Sequence, residues 1–188
     1  PDLKERHLPE NCRETINTIL KETYGYEQFR NLEIYDDLSK GKEKLCISQG
    51  QLIENVILEA EKAWKGETQV DNILLTAPTG SGKSLLFQLP AIYLGKEYNL
   101  LTIVVSPLKA LIVDQVESLQ ELGYTRVAYA SSDLSPEQKM EVYRQVREGE
   151  IDLFYLSPEL LLSYDIKHFV GERRIGLVVV DEAHTVTT

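Results

Sequence analysis

Cysteine is nearly absent from this 188-residue chain: Cys12 and Cys46 are the only two. Their spacing fits neither a zinc ribbon nor a redox pair, and a disulfide scaffold is excluded, so the fold has to rest on a packed core. A chain of this length can bury roughly two thirds of its unfolded surface, enough for one ordinary domain. A cationic-then-apolar leader is also missing, and with the scarce thiols this makes a reducing, cytoplasmic setting the expectation. Long apolar runs are lacking: Leu177 to Val180 is far too short for a bilayer and reads as a buried strand, so no membrane partner is expected. Positive charge is in deficit, with 20 Lys and Arg against 30 Asp and Glu and a net charge of −10. That balance excludes a domain that holds nucleic acid by bulk charge. It does not exclude one that grips phosphates with backbone amides, helix N-termini and a few placed lysines. Internal repeats and low-complexity tracts are absent as well.

What is present, from Asn72 onward, is alternation of β-rich apolar runs with amphipathic helical stretches, the pattern of βαβ units on a parallel sheet. The candidate strands are Ile73 to Thr76, Leu100 to Val105, Arg126 to Ala130, Asp152 to Leu156 and Leu177 to Asp181. Several are apolar without alternation, as strands buried on both faces are. Glycines at 66, 95, 123 and 149 fall where four helices should end. Leu108, Leu111, Ile112, Val116, Leu119 and Leu122 recur at helical spacing, and Ser135-Pro136-Glu137-Gln138 spells an N-cap with a capping box. Residues 1–71 read as a helical preamble: a segment around Arg13 to Thr23, a polar connector at Lys40 to Lys44, and a helix from Ser48 to Lys65. On that last helix Ile53, Val56, Ile57, Ala60 and Trp64 should pack against the sheet.

Two short motifs carry chemistry. In Ala77-Pro78-Thr79-Gly80-Ser81-Gly82-Lys83-Ser84, a strand leads into a glycine-containing turn and the turn opens a helix, which is how backbone N–H groups wrap a triphosphate. Thr79, Gly80, Ser81 and Gly82 form the cradle, Lys83 reaches the β- and γ-phosphates, and the Ser84 hydroxyl coordinates Mg²⁺. Alanine at position 77, where the general pattern has glycine, is the variant of helicase-type motors. The bland alternative is a glycine-rich turn with a lysine facing water. Downstream, Asp181-Glu182-Ala183-His184 closes the run Leu177 to Val180, at the strand end where parallel sheets place their ligands. Asp181 should hold Mg²⁺ and Glu182 should orient and deprotonate the water that attacks the γ-phosphate. An Asp-Glu pair after a strand is by itself usually a solvated strand end; the loop at Lys83 reverses that reading. ATP and Mg²⁺ are therefore the expected cofactors. The expected fold class is α/β, a parallel sheet flanked by helices over residues 72–188, and the phosphate loop resembles that of P-loop NTPases of the RecA-like type.

At this point the residues resemble superfamily 2 DEAH-box helicases, and within them the RecQ-like ATP-dependent DNA helicases. Val105-Ser106-Pro107-Leu108-Lys109-Ala110-Leu111 with Asp114-Gln115-Val116 resembles motif Ia, and Leu156-Ser157-Pro158-Glu159-Leu160-Leu161 resembles the family's Ser/Ala-Pro-Glu-Arg-Leu segment, with leucine for arginine at 160. The resemblance implies that Ser106, Pro107, Leu108, Lys109, Ser157 and Glu159 contact the backbone of one DNA strand, that His184 couples the nucleotide to that strand, and that movement is 3′-to-5′. Capping of a helix by Ser157-Pro158-Glu159 is the alternative and can coexist with DNA contact. The family's adenine motif opens with Leu20, Tyr24-Gly25 and Phe29-Arg30, but Glu33 stands where glutamine is expected. An insertion explains this: the motif resumes at Gly50-Gln51, so Gln51 hydrogen-bonds adenine while Tyr24 or Arg30 stacks on it. Ser48-Gln49-Gly50-Gln51 is equally a capping box.

The resemblance further implies a second RecA-like domain that supplies an arginine finger and is missing here, the chain being cut just after the acidic box. The fragment alone should then turn ATP over poorly. The rival readings are an RNA helicase, a duplex translocase of a remodelling or restriction system, and a non-catalytic nucleotide-sensing module. The last has little room, because Lys83, Ser84, Asp181 and Glu182 are all present.

Overall fold

The computed structural model describes residues 12–35, 44–66 and 84–180. The strand expected at Ile73 to Thr76, the loop residues Ala77 to Lys83 and the box Asp181 to His184 lie outside the described residues. The chain divides into two compact units, the first taking the described residues up to Pro90 and the second those from Ala91 on.

In the first unit, α1 (Glu14–Ile19) runs into a π-helical turn (Leu20–Tyr24) that stops at Gly25, left-handed with φ 74°. Ile16, Ile19 and Leu20 are buried. Helix α2 (Gln49–Trp64) starts with the expected capping box and buries Leu52, Ile53, Val56, Ile57 and Ala60. Trp64 does not join that stripe; it is 38% exposed, because it sits in the last turn of the helix. Arg13 ties the start of α1 to α2: its Nε donates to Glu54 at 2.7 Å and its Nη2 to Glu61 at 2.9 Å.

Between the two helices the preamble is not a plain connector. Strands β1 (Asn31–Tyr35) and β2 (Lys44–Ser48) pair antiparallel, in register from Asn31↔Ser48 to Tyr35↔Lys44. The sequence alternates apolar and polar here, Leu32 and Ile34 against Leu45 and Ile47, and period two suits a strand. Each run is only five residues long, too short to stand out beside the lysine-rich sequence between them.

In the second unit four parallel strands form a sheet of order β4-β5-β3-β6. They are β3 (Leu101–Val105), β4 (Val127–Ala130), β5 (Leu153–Leu156) and β6 (Ile175–Val180). Helices α4 (Lys109–Glu121), α5 (Pro136–Arg147), α6 (Pro158–Ser163) and α7 (Ile166–Val170) connect them, and α3 (Leu85–Tyr98) leads in from the first unit. One core joins Leu101, Ile103, Tyr143, Phe154, Leu156, Leu160 and Phe169. The capping box Ser135 to Gln138 forms as expected.

Two expectations are corrected. Gly95 ends no helix: it lies inside α3, where a Cβ would meet the Asp152 side chain at 2.6 Å, and the helix is instead followed by Asn99 in the left-handed region, φ 55°. Strand β6 is not buried on both faces, since Val178 is 58% and Val180 51% exposed among the described residues. No helix among the described residues is long and apolar enough to cross a membrane.

Candidate nucleotide and nucleic-acid sites

The residues expected around the nucleotide base fall in the first unit. Ser84, partly buried, opens α3: its carbonyl accepts from the N–H of Phe87 at 3.3 Å and of Gln88 at 2.9 Å, the position required of a residue that ends a phosphate loop. One turn on, Gln88 Oε1 accepts from the Tyr24 hydroxyl at 3.1 Å, so an aromatic of the segment expected at the adenine is fastened to the helix that Ser84 begins. Tyr26 lies parallel to Tyr24, with ring centroids 6.4 Å apart and planes 10° off, and is 50% exposed. Sequence reasoning missed Tyr26. The signal was an aromatic just past Gly25, whose left-handed backbone turns the chain.

The geometry at Arg30 brings the two ends of the expected motif together. Gln49 N–H donates to the Arg30 carbonyl at 2.8 Å, and Arg30 N–H donates to Gln49 Oε1 at 2.9 Å. The chain thus leaves at Arg30 and returns to the same place at Gln49, with the hairpin looped out between them. Gly50 follows at a close approach, where a Cβ would lie 2.6 Å from Cys12 Sγ and 2.8 Å from the Phe29 ring. That contact joins Phe29 and Gly50, which the sequence separates by the two paired strands. Burial pushes the Cys12 thiol above its ordinary pKa, and the nearby Glu54 carboxylate adds to the shift. Arg30 is exposed. Gln51 Oε1 accepts from Ser48 N–H at 3.4 Å, closing the capping box; that long bond and an adenine contact compete for one oxygen.

In the second unit, the strand order sets the ends of β4, β5 and β3 side by side at the carboxyl edge of the sheet. Ser106 N–H donates to the Leu156 carbonyl at 3.2 Å and Ser157 N–H to the Ala130 carbonyl at 3.4 Å, so Ala130, Ser157 and Ser106 form a row. Ser106 is buried and its Oγ accepts from Leu108 N–H at 3.5 Å; Pro107 and Leu108 are exposed beyond it. Lys109 Nζ reaches Asp133 Oδ1 and Ser132 Oγ, both at 3.1 Å. These two partners also went unforeseen, although Ser131-Ser132-Asp133 is a polar run directly after a strand.

Ser157 precedes α6 as its N-cap residue but makes no side-chain cap bond, contrary to the capping alternative; its Oγ is buried without a hydrogen-bond partner among the described residues. Glu159 is exposed in the first turn. Leu160 is 5% exposed and packs into the core, which explains an apolar side chain where the resembled pattern has arginine. Behind this row, the buried Tyr155 hydroxyl donates to Gln115 Oε1 at 2.7 Å, tying α4 to the strand that delivers Ser157. Lys83, Asp181, Glu182 and His184 lie outside the described residues.

Known proteins match this arrangement along most of the chain. Residues 50–188 match the family model described as DEAD/DEAH box helicase. ATP-dependent DNA helicase RecQ of Synechocystis sp. is 33% identical over 174 residues, covering 92% of this chain and 30% of that protein. ATP-dependent DNA helicase Q-like 5 of Arabidopsis thaliana is 34% identical over 175 residues, 93% of this chain and 16% of that protein. The chain therefore spans less than a third of the length of these relatives. The crystal structure of DUF1998 helicase MrfA bound to DNA and AMPPNP superposes with a TM-score of 0.53 at 22% identity, over 94% of this chain and 22% of that one; it supports the fold alone. With the family's region reaching from the start of α2 to the last residue, the chain belongs to the DEAD/DEAH box helicases.

Proposed function

We propose that this chain is the first RecA-like motor domain of an ATP-dependent DNA helicase or translocase of the RecQ-like branch. The observation that carries the nucleotide role is the Tyr24 to Gln88 hydrogen bond, which fastens the base-recognition segment to the helix opened by Ser84. In this reading Thr79, Gly80, Ser81, Gly82 and Lys83 cradle the triphosphate, and Ser84 and Asp181 hold Mg²⁺, which neutralises phosphate charge when bound. Glu182 orients and deprotonates the attacking water, and His184 couples the site to the nucleic acid. Arg30 and Tyr24 lie against the base with Tyr26 beside them, and Gln51 reads its edge. One DNA strand runs over Ser106, Pro107, Leu108, Lys109, Ser157 and Glu159, held by backbone N–H groups and hydroxyls that read no sequence. A second RecA-like domain is the structural partner, and a cytoplasmic setting fits.

Equilibrium titration with a fluorescent ATP analogue, single-turnover ATP hydrolysis, and binding of labelled single-stranded DNA, duplex DNA and RNA test the proposal. The expected result is weak, Mg²⁺-dependent nucleotide binding that Lys83→Ala abolishes, retention of binding but loss of turnover in Glu182→Gln, and preference for single-stranded DNA. Unaltered hydrolysis in Glu182→Gln would overturn the motor assignment. A preference for RNA or duplex would select one of the other translocases.

A further inference from the structure

Strand β4 is the last strand of the described sheet, with β5 on one side only. The Arg126 carbonyl accepts from Leu153 N–H and the Ala130 carbonyl from Ser157 N–H. In a parallel ladder every second residue turns its main-chain groups to the same neighbour, so residues 126, 128 and 130 face β5 while Val127 and Tyr129 turn theirs outward.

A groove of about 640 Å³ runs along that edge. The crossover through α4 moves two strands outward, from β3 to β4, and the crossover through α5 returns one strand inward, from β4 to β5. Right-handed crossovers of opposite direction place their helices on opposite faces of the sheet. The groove therefore wraps the edge, with Val116 and Glu117 of α4 on one wall and Glu137, Glu141 and Val142 of α5 on the other.

Every charged residue lining the groove is a glutamate. Glu141 is already held by Arg144 at 2.7 Å, which leaves Glu117 and Glu137 as the carboxylates available to an incoming cation. An open edge, an apolar lining and charge of one sign on both walls fit one kind of occupant.

We propose that this groove binds an extended segment of a partner protein that turns both apolar and basic residues to each of its two faces. The segment adds to β4 as a further strand: its main chain bonds to Val127 and Tyr129, its apolar side chains cover Val116 and Val142, and its basic side chains meet Glu117 and Glu137. Because β4 has four residues, the bound stretch is short, on the order of four to six residues at about 3.3 Å each. The inference does not depend on ATP or DNA, and its test reads neither.

The test is fluorescence anisotropy of a labelled peptide, Val-Val-Lys-Arg-Val-Val, which carries apolar and basic residues on both faces of a strand, titrated with the 188-residue chain. Saturable binding is expected, about tenfold weaker in the double variant E117K/E137K and weakened further by added salt. A peptide N-methylated at alternate amides should not bind, because it cannot complete the ladder. Should the reversal variant fail to fold by circular dichroism, E117Q/E137Q decides instead, with a several-fold loss expected at an unchanged melting temperature. Absence of saturable binding, equal binding of the N-methylated peptide, or equal binding by the folded charge variants would overturn the proposal. So would concentration-dependent dimerisation that E117K/E137K removes, because the occupant would then be a second copy of this chain.

Discussion

Gly95 and Asp152 show how one side chain constrains a position far from it in sequence. Asp152, almost fully buried, accepts from Arg126 Nε at 2.6 Å and pairs with Arg173, itself 5% exposed at the side chain. The carboxylate leans on α3 so closely that only glycine fits at 95. Alanine there would raise helix propensity by about 0.5–1 kcal/mol, but its methyl has to displace a carboxylate held by two guanidinium groups, an overpacking cost of about 1–3 kcal/mol. The clash exceeds the gain, so Gly95→Ala should lower the urea midpoint. Asp152→Ala should cost more, about 3–5 kcal/mol, because it leaves the buried Arg173 charge without its carboxylate. If urea titrations gave both variants wild-type stability, the clamp would have no energetic weight.

The hairpin of β1 and β2 is the element whose identity the sequence hid. Its base is closed by the reciprocal bonds between Arg30 and Gln49, so Phe29, Arg30, Gly50 and Gln51 should keep their places without it. Replacing residues 31–47 with a short Gly-Ser turn, which leaves the Ser48 cap in place, should preserve α2 and the affinity for a fluorescent ATP analogue to within about twofold, well under 1 kcal/mol. A loss of nucleotide binding with the fold intact would make the hairpin part of the pocket. The helix from Ser48 was legible from its capping box; the β structure before it was not, because alternation over five residues is a weak signal. Strands β3, β4 and β5 were legible from apolar runs bounded by turn residues, and the Ser135 cap from its spacing. Gly95 was misread because composition cannot separate a glycine that ends a helix from one that admits a neighbour's carboxylate. Tyr26, Ser132 and Asp133 escaped for a related reason: their roles arise from partners brought near by the fold.

At the scale of the molecule, the acidity of the chain makes the proposed grip on nucleic acid measurable. Net charge is −10, and among the residues proposed to touch the strand only Lys109 is cationic. Affinity for single-stranded DNA should therefore fall slowly with salt, because each neutralised phosphate contributes about −0.7 to the slope of log affinity against log salt. Lys109→Ala should flatten the slope by about that one unit of contact and weaken binding uniformly across sequences. Asp133→Ala should do the reverse: it removes the carboxylate that occupies the Lys109 ammonium at 3.1 Å and leaves that charge to a phosphate. Because the pair is exposed, its own stability is only about 0–1 kcal/mol, so a single DNA phosphate can compete for the lysine. Binding isotherms at several salt concentrations decide the matter. Equal slopes for the wild type and Lys109→Ala would mean that the strand passes elsewhere, whereas opposite shifts for the two variants would place a phosphate beside Lys109.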